Sequence, residues 1–550
     1  MRTLKKDRSL IKKYWALIIL AGIFAVGIFI RVHAIETLPL LRGDEAVVGM
    51  DAIIGSQETD EANEQSGFFT AFVAFAFSLF GVSIPTLKLA SIVFGSLTIL
   101  STYILAKQLL LFAQYNPLVR ARLSFSQTAI ESSALLSAGI VASNILHIAF
   151  SRNAYDTITA PFFLTLALAS IWYALRTKHR SAFIGSGIVW GIGCYASPLF
   201  TVSLLMCVGV LALVFLFHNT QQRNKRIHSI HASISENEKI NIGIFNVTLL
   251  VVLIPLFIKG FSFFAQNETT FLHQPDVFSS LWQNISTLVQ SFFEGSPFFQ
   301  EPFVALPLIP LFALGVLYLI WTLYNAIHHK NNALIVAQLT LLCAPLFLLL
   351  PALFTTTIDP GRILIIIPLL AIIASYGFLL ITRLIFPTKQ KRRSGWAPSF
   401  LVALFFLAGI FFIQNHSYTT YVSSATQSHP SYTTSQHINS FIQQQHDTTH
   451  IYLVVNTQEL PFVPYPKSVR DTNTEHLPIS GYSTLFLQHT NTKTPKKTTY
   501  ISHTEIPHTI HTPAIIIPLE DTPAIREILR KEWDIGIATQ YDSFWTYTIQ

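Results

Sequence analysis

The sequence predicts an all-α polytopic membrane protein of about 11 transmembrane helices with a small extracytoplasmic α/β domain at its C-terminal end. Three observations predict it. The 550 residues are 51% hydrophobic and only 12% charged, about half the charged share of a soluble protein. Apolar runs of about 20 residues, the length that crosses a bilayer, recur between residues 14 and 414. Past residue 415 the composition turns to Thr, His, Ser, Tyr and Pro.

Each element follows in order. Residues 1–13 are basic and 14–30 are uninterrupted apolar. Val32-His33-Ala34 resembles a signal-peptide cleavage site, but the run is long for one, so an uncleaved first span with a cytoplasmic N-terminus is expected. Residues 33–84 then read as an outer acidic loop with interfacial helices. It carries Glu36, Asp44, Glu45, Asp51, Glu58, Asp60, Glu61 and Glu64. Residues 68–81 are apolar but too short to span. Further spans are expected at about 85–106, 126–150, 161–175, 181–196, 198–217, 243–263, 302–323, 333–353, 362–381 and 398–414. A transmembrane domain over 1–414 and an extracytoplasmic α/β domain over 415–550 result.

The charges test that scheme. Mean hydropathy is +0.47, and the net charge of +7 comes with Lys and Arg gathered in alternating short loops. Of 36 basic residues, 22 fall in loops assigned to the cytoplasm and 8 in the tail. Only Arg31, Arg42, Lys88, Arg152, Lys259 and Arg362 remain for the outer side. This is the positive-inside asymmetry. It places the C-terminal domain outside a cell membrane and accounts for the basic balance without nucleic acid. Cys194, Cys207 and Cys343 all lie in apolar runs, with neither disulfide nor metal spacing.

In the tail, 450–455, 484–488 and 514–518 read as strands, 522–532 as a helix and 534–549 as a strand pair. Its ten histidines are scattered, and His508 and His511, at helical spacing, read as solvated side chains rather than metal ligands. Asn284-Ile285-Ser286 is a glycosylation sequon in an outer loop. There is no internal repeat of the kind that marks two-halved transporters.

Three stretches could carry chemistry. In LRGDEAVVGMDA, residues 41–52, a helical reading puts Asp44 and Asp51 on one face, with Val47 and Val48 as interfacial anchors. An Asp-Glu pair there could act as a general base or simply be solvated, and eight acids leave a divalent cation open. In SRNAYDTITAP, Arg152 and Asp156 stand four apart, which read plainly is a local ion pair. In TTTIDPGRILIIIP, Arg362 opens a long helix, where a guanidinium suits a phosphate or pairs with Asp359. Lys259, at the outer end of a span, is a lesser phosphate candidate.

The order of these features resembles the GT-C glycosyltransferases, in the group of dolichyl-phosphate-mannose-protein mannosyltransferases and bacterial aminoarabinose transferases. It runs from one span to an LP-x-x-x-x-DEA loop and an amphipathic stretch ending LFG. A Pro-led span with YILAKQLL follows, then SR-x-x-x-D, then P-x-R-x-x-x-x-x-P. The likeness covers about residues 10–380. The family's His-Pro-Pro segment is absent, with Ser66-Gly67-Phe68-Phe69 in its place, and so is the WWD motif of oligosaccharyltransferases. The resemblance implies inverting transfer of a sugar from a polyprenyl-phosphate monosaccharide to a hydroxyl of a protein, lipid or glycan. It assigns the base to Asp44, its orientation to Glu45, phosphate stabilisation to Arg362 and a supporting acid to Asp156. It settles no cofactor, because related enzymes differ on a divalent metal. The alternative, a transporter or flippase of lipid-linked glycans, predicts charges in mid-span, whereas nearly all charges here lie at span ends.

Overall fold

The computed structural model describes residues 2–36, 41–54, 67–113, 127–197, 236–258, 277–293, 308–328, 332–353, 360–385, 430–446, 448–456, 462–464, 476–491, 498–503, 512–520, 522–532, 537–541 and 543–549, with scattered positions at 199–209 and 408–409. Two compact units emerge. One comprises Met1–His33 and Ser91–Tyr421, the other Ala34–Ala90 and Val422–Gln550. The acidic loop thus groups with the C-terminal residues.

The first unit is helical. Its described elements begin with α1 (Arg2–Val32). The second unit supplies α2 (Gly43–Ile54), α3 (Phe68–Phe80) and the start of α4 (Ile84–Ala113). The first unit continues with α5 (Gln127–Ser143), α6 (Ile145–Arg152), α7 (Thr159–Thr177), α8 (Arg180–Ala196), α9 (Glu236–Ile258), α10 (Val277–Phe293), α11 (Leu308–His328), α12 (Asn332–Leu353) and α13 (Ile367–Ile385). Among the described residues five helices are long and apolar enough to cross a membrane, or six if the bent pair α5 and α6 counts as one. These match the expected spans at 14–30, 85–106, 126–150, 161–175, 302–323 and 362–381. The expected spans at 198–217 and 398–414 lie mostly outside the described residues.

Two expectations are modified by local chemistry. The 126–150 span bends by 56°, because Asn144 leaves the helix and its Oδ1 accepts the His147 N–H at 3.0 Å, starting α6 anew. The helix expected from Arg362 is a short helical turn, Pro360–Ile363, followed by a 3-10 turn, Leu364–Ile366, before α13 begins. Pro368 explains it, since it has no N–H to offer Leu364 and its ring crowds that carbonyl.

With apolar lipid outside, packing and polar contacts between helices replace the hydrophobic effect. A β-carbon on Gly315 would lie 2.0 Å from the Ile373 carbonyl oxygen, and one on Gly377 2.0 Å from that of Leu311. Only glycine lets α11 and α13 approach so closely. Ser133 Oγ donates to Ser375 Oγ at 2.9 Å and ties α5 to α13. Where the last turns of α4 meet the start of α5, Glu131 pairs with Lys107 Nζ at 2.7 Å, accepts from Gln127 Nε2 at 2.9 Å and accepts from the Tyr103 hydroxyl. Large apolar side chains stay exposed on α1 (Leu17, Ile18, Phe29), α9 (Val247, Leu250) and α11 (Leu317, Tyr324), as lipid-facing surfaces should. Asn284 of the sequon is buried in α10, and its amide donates to the Leu353 carbonyl.

The second unit is built on a five-stranded sheet of order β4-β1-β5-β7-β6. Its strands are β1 (His450–Val455), β4 (Thr498–Ser502), β5 (Ala514–Pro518), β6 (Ile537–Gln540) and β7 (Trp545–Ile549), and a separate hairpin pairs β2 (Phe462–Pro464) with β3 (His476–Pro478). β1 runs parallel to both neighbours, with Leu453 opposite Tyr500 on one side and Ile517 on the other. Its near-continuous apolar HIYLVV suits a central parallel strand buried on both faces. Three helices accompany the sheet: α14 (Pro430–Gln444), α15 (Ile479–Asn491) and α16 (Pro523–Glu532). Ile525 and Leu529 of α16 pack on Tyr452, Val454, Ile516 and Tyr547.

Residues 484–488, expected as a strand, are the middle of α15. Parallel β1 and β4 require a crossover, and this apolar run supplies the helix for it. His508 and His511 lie outside the described residues.

Candidate active site

The acidic helix α2 is organised from its first turn. Glu45 Oε2 accepts the Arg42 N–H at 2.9 Å, the backward half of a capping box in which the third helical residue reaches the residue before the helix. Asp44 Oδ1 accepts the Glu45 N–H at 3.1 Å and lies 3.5 Å from Arg42 Nε. Both acids sit where the helix dipole favours negative charge.

The helix then divides by face. Glu45, Ala46, Gly49, Met50 and Ala52 are buried, whereas Asp44, Val47, Val48 and Asp51 stay partly exposed. The shared face of Asp44 and Asp51 expected from the sequence is therefore present. The Asp44 side chain is 41% exposed and Glu45 is fully buried, so of the pair only Asp44 is open to an incoming group. Burial pushes the Asp51 carboxyl up to about 6.

In the helical unit, the two polar turns expected to carry donor contacts come together. The 3-10 turn Asp156–Ile158 packs against the Pro360–Ile363 turn. Asp156 is exposed at the head of its turn, and Arg362 is half-buried between the buried Gly361 and Ile363. Arg152 and Asp156 do not share one continuous helix, because α6 ends at Arg152 and the chain is extended at Asn153. Arg152 is buried and donates from Nη1 to the Ile30 carbonyl. Lys259 and Asp359 lie outside the described residues.

Sequence reasoning did not single out Arg31 and His147. Arg31 is fully buried at the end of α1. It donates from Nη1 to the carbonyls of Gly27 at 2.8 Å and Ala142 at 3.2 Å, and from Nη2 to His147 Nδ1 at 2.9 Å. A guanidinium can only donate, so His147 Nδ1 accepts and its ring proton sits on Nε2. A polar residue inside an apolar helix such as ILHIAF was the available signal. Ala142 and Ile30 both lie in last helical turns, whose carbonyls lack intrahelical partners. The two arginines thus satisfy the C-terminal ends of α5 and α1. Among the described residues, no group of three or more His, Cys, Asp or Glu side chains could hold a metal.

The architecture is the GT-C fold of membrane glycosyltransferases. The solved structures it is similar to include ArnT from Cupriavidus metallidurans, in the apo state at a TM-score of 0.51 and 13% identity, over 98% of both chains. The same protein bound to undecaprenyl phosphate aligns at a TM-score of 0.53 and 13% identity, over 97% of this chain and 98% of that one. No family model and no curated protein matches the chain.

Proposed function

We propose that this protein is an integral-membrane glycosyltransferase that moves a hexosyl or pentosyl group from a polyprenyl-phosphate monosaccharide to a hydroxyl of a protein, lipid or glycan, with Asp44 as general base. The observation that carries the reading is the first turn of α2. It presents one half-exposed carboxylate, Asp44, on a backbone held by a second, buried one, Glu45. The neighbour solved with undecaprenyl phosphate supports a polyprenyl-phosphate donor.

The chemistry asks little more of the protein. The acceptor oxygen attacks the anomeric carbon as the bond to the phosphate oxygen breaks, which inverts that centre. Asp44 takes the proton that the acceptor loses. Polyprenyl phosphate leaves as a stable anion and needs no general acid, unlike the leaving group in a glycosidase. Arg362 stabilises the departing phosphate, with Asp156 in a supporting role. The active face is extracytoplasmic, with the N-terminus cytoplasmic and the C-terminal domain outside, as the distribution of Lys and Arg supports.

The test is sugar transfer from a polyprenyl-phosphate monosaccharide in proteoliposomes. Asp44→Asn should lose at least about a hundredfold in kcat with an unchanged melting temperature. A folded Asp44→Asn protein as active as wild type would overturn the assignment.

A further inference from the structure

We propose that the C-terminal α/β domain positions the acidic helix through the face of α15, with the ring of Phe486 seated on Gly49 as the key contact. The inference rests on the reading of Asp44 as base and adds two positioning residues to it.

A helix of 12 residues is marginal alone and needs a partner to fix it. Among the described residues α2 packs chiefly on α15 and α3. At Gly49 the fit is closed, because a β-carbon there would lie 2.4 Å from Cε2 of Phe486, 2.7 Å from Cδ2 and 3.2 Å from Cζ. Phe486 is fully buried, and Phe77 of α3 stacks on it with ring centroids 6.3 Å apart. The buried ring is therefore held between Gly49 and Phe77. Gly49 lies one turn after Glu45 on the same buried face, and Glu45 holds the backbone that carries Asp44. Behind Phe486, α15 is fixed by its place in the crossover from β1 to β4, where Gln488 Oε1 accepts from Thr498 Oγ1 at 3.1 Å. Position thus passes from the sheet to α15, from Phe486 to Gly49, and one turn along α2 to Asp44.

A misplacement of about 1 Å at a reacting group costs on the order of a hundredfold in rate. Arg362, proposed to meet the donor phosphate, belongs to the helical unit and not to α2. Gly49→Ala should therefore lower kcat by about ten- to a hundredfold and leave the KM for the donor within about twofold. Phe486→Ala removes the obstructing ring. The double variant Gly49→Ala/Phe486→Ala should recover to the activity of Phe486→Ala alone, a non-additive rescue that general destabilisation does not give. Hydrogen exchange at residues 43–49 should quicken in Phe486→Leu while α7 and α13 stay protected.

The proposal is overturned if Gly49→Ala matches wild type in kcat, or if the double variant shows the product of the two single losses. If Gly49→Ala does not fold, Phe486→Leu decides, since an unchanged kcat together with unchanged exchange at 43–49 overturns it. Asp44→Asn separates the two readings. Full activity there removes the base assignment, whereas an inactive Asp44→Asn beside an unaffected Gly49→Ala removes only the positioning role.

Discussion

Arg152, the last residue of α6, donates its guanidinium to the carbonyl of Ile30 in the last turn of α1, across 122 residues of chain. Arg31 makes the reciprocal move, from the end of α1 to the Ala142 carbonyl at the end of α5. Each cation thus serves the negative end of the other segment's helix.

Arg152→Ala should therefore cost about 2 kcal/mol or more, the range of charge-assisted bonds whose acceptor is left buried. Arg152→Lys should fall between, because an ammonium keeps the charge but not the planar fork. Thermal unfolding in detergent measures both. Loss of transfer activity at an unchanged melting temperature would instead assign Arg152 to the substrate.

The glycine notch between α11 and α13 gives a sharper prediction. Gly377→Ala brings a β-carbon to 2.0 Å from the Leu311 oxygen, and a backbone carbonyl cannot rotate away. The helices must part, at about 1–3 kcal/mol. Gly22→Ala is the control, since nothing lies within 4 Å of its β-carbon, and it should be neutral or slightly stabilising. Equal melting temperatures for the two variants would refute the notch.

The spans were legible because lipid imposes length and hydropathy on each segment separately, as at 14–30 and 302–323. β1 and β5 were legible for a similar reason, being short apolar runs between turn residues. The 484–488 run was not, because a five-residue stretch with an apolar Leu-Phe-Leu centre fits a strand or a helix equally, and only the parallel pairing of β1 with β4 decides. The acids of α2 were visible as a cluster, and their division was not. Asp44 and Glu45 are neighbours of like chemistry, separated by which face of α2 meets α3 and α15. Arg31 looked like an ordinary span-end cation, and its partners Ala142 and His147 lie more than 100 residues away, beyond any local pattern.

That division predicts a split between the two acids. Glu45→Gln keeps an acceptor for the Arg42 N–H and should retain most of the activity and stability. Glu45→Ala leaves that N–H without it and should lose about 1 kcal/mol, together with activity, as the first turn loosens. Melting temperature and kcat measured on the same preparations check it. A Glu45→Gln protein that melts like wild type yet is as inactive as Asp44→Asn would make Glu45 a catalytic residue in its own right.

Asp51 gives α2 a pH signature. Burial holds its folded-state carboxyl up at about 6, against an ordinary value of 3.8. The folded protein thus keeps a proton there that the unfolded chain has released. The sign follows. Below about pH 4 both states are protonated and Asp51 costs nothing. As pH rises from about 4 to about 6 the fold loses stability, and above that the loss is constant. About two pKa units correspond to at most about 3 kcal/mol, which partial solvent exposure reduces to about 1–2. Asp51→Asn should therefore melt higher than wild type at pH 7 to 8, with the two curves converging near pH 4. A variant less stable than wild type at pH 7 would show that the ionised carboxylate is held by a partner, and that α2 depends on its charge.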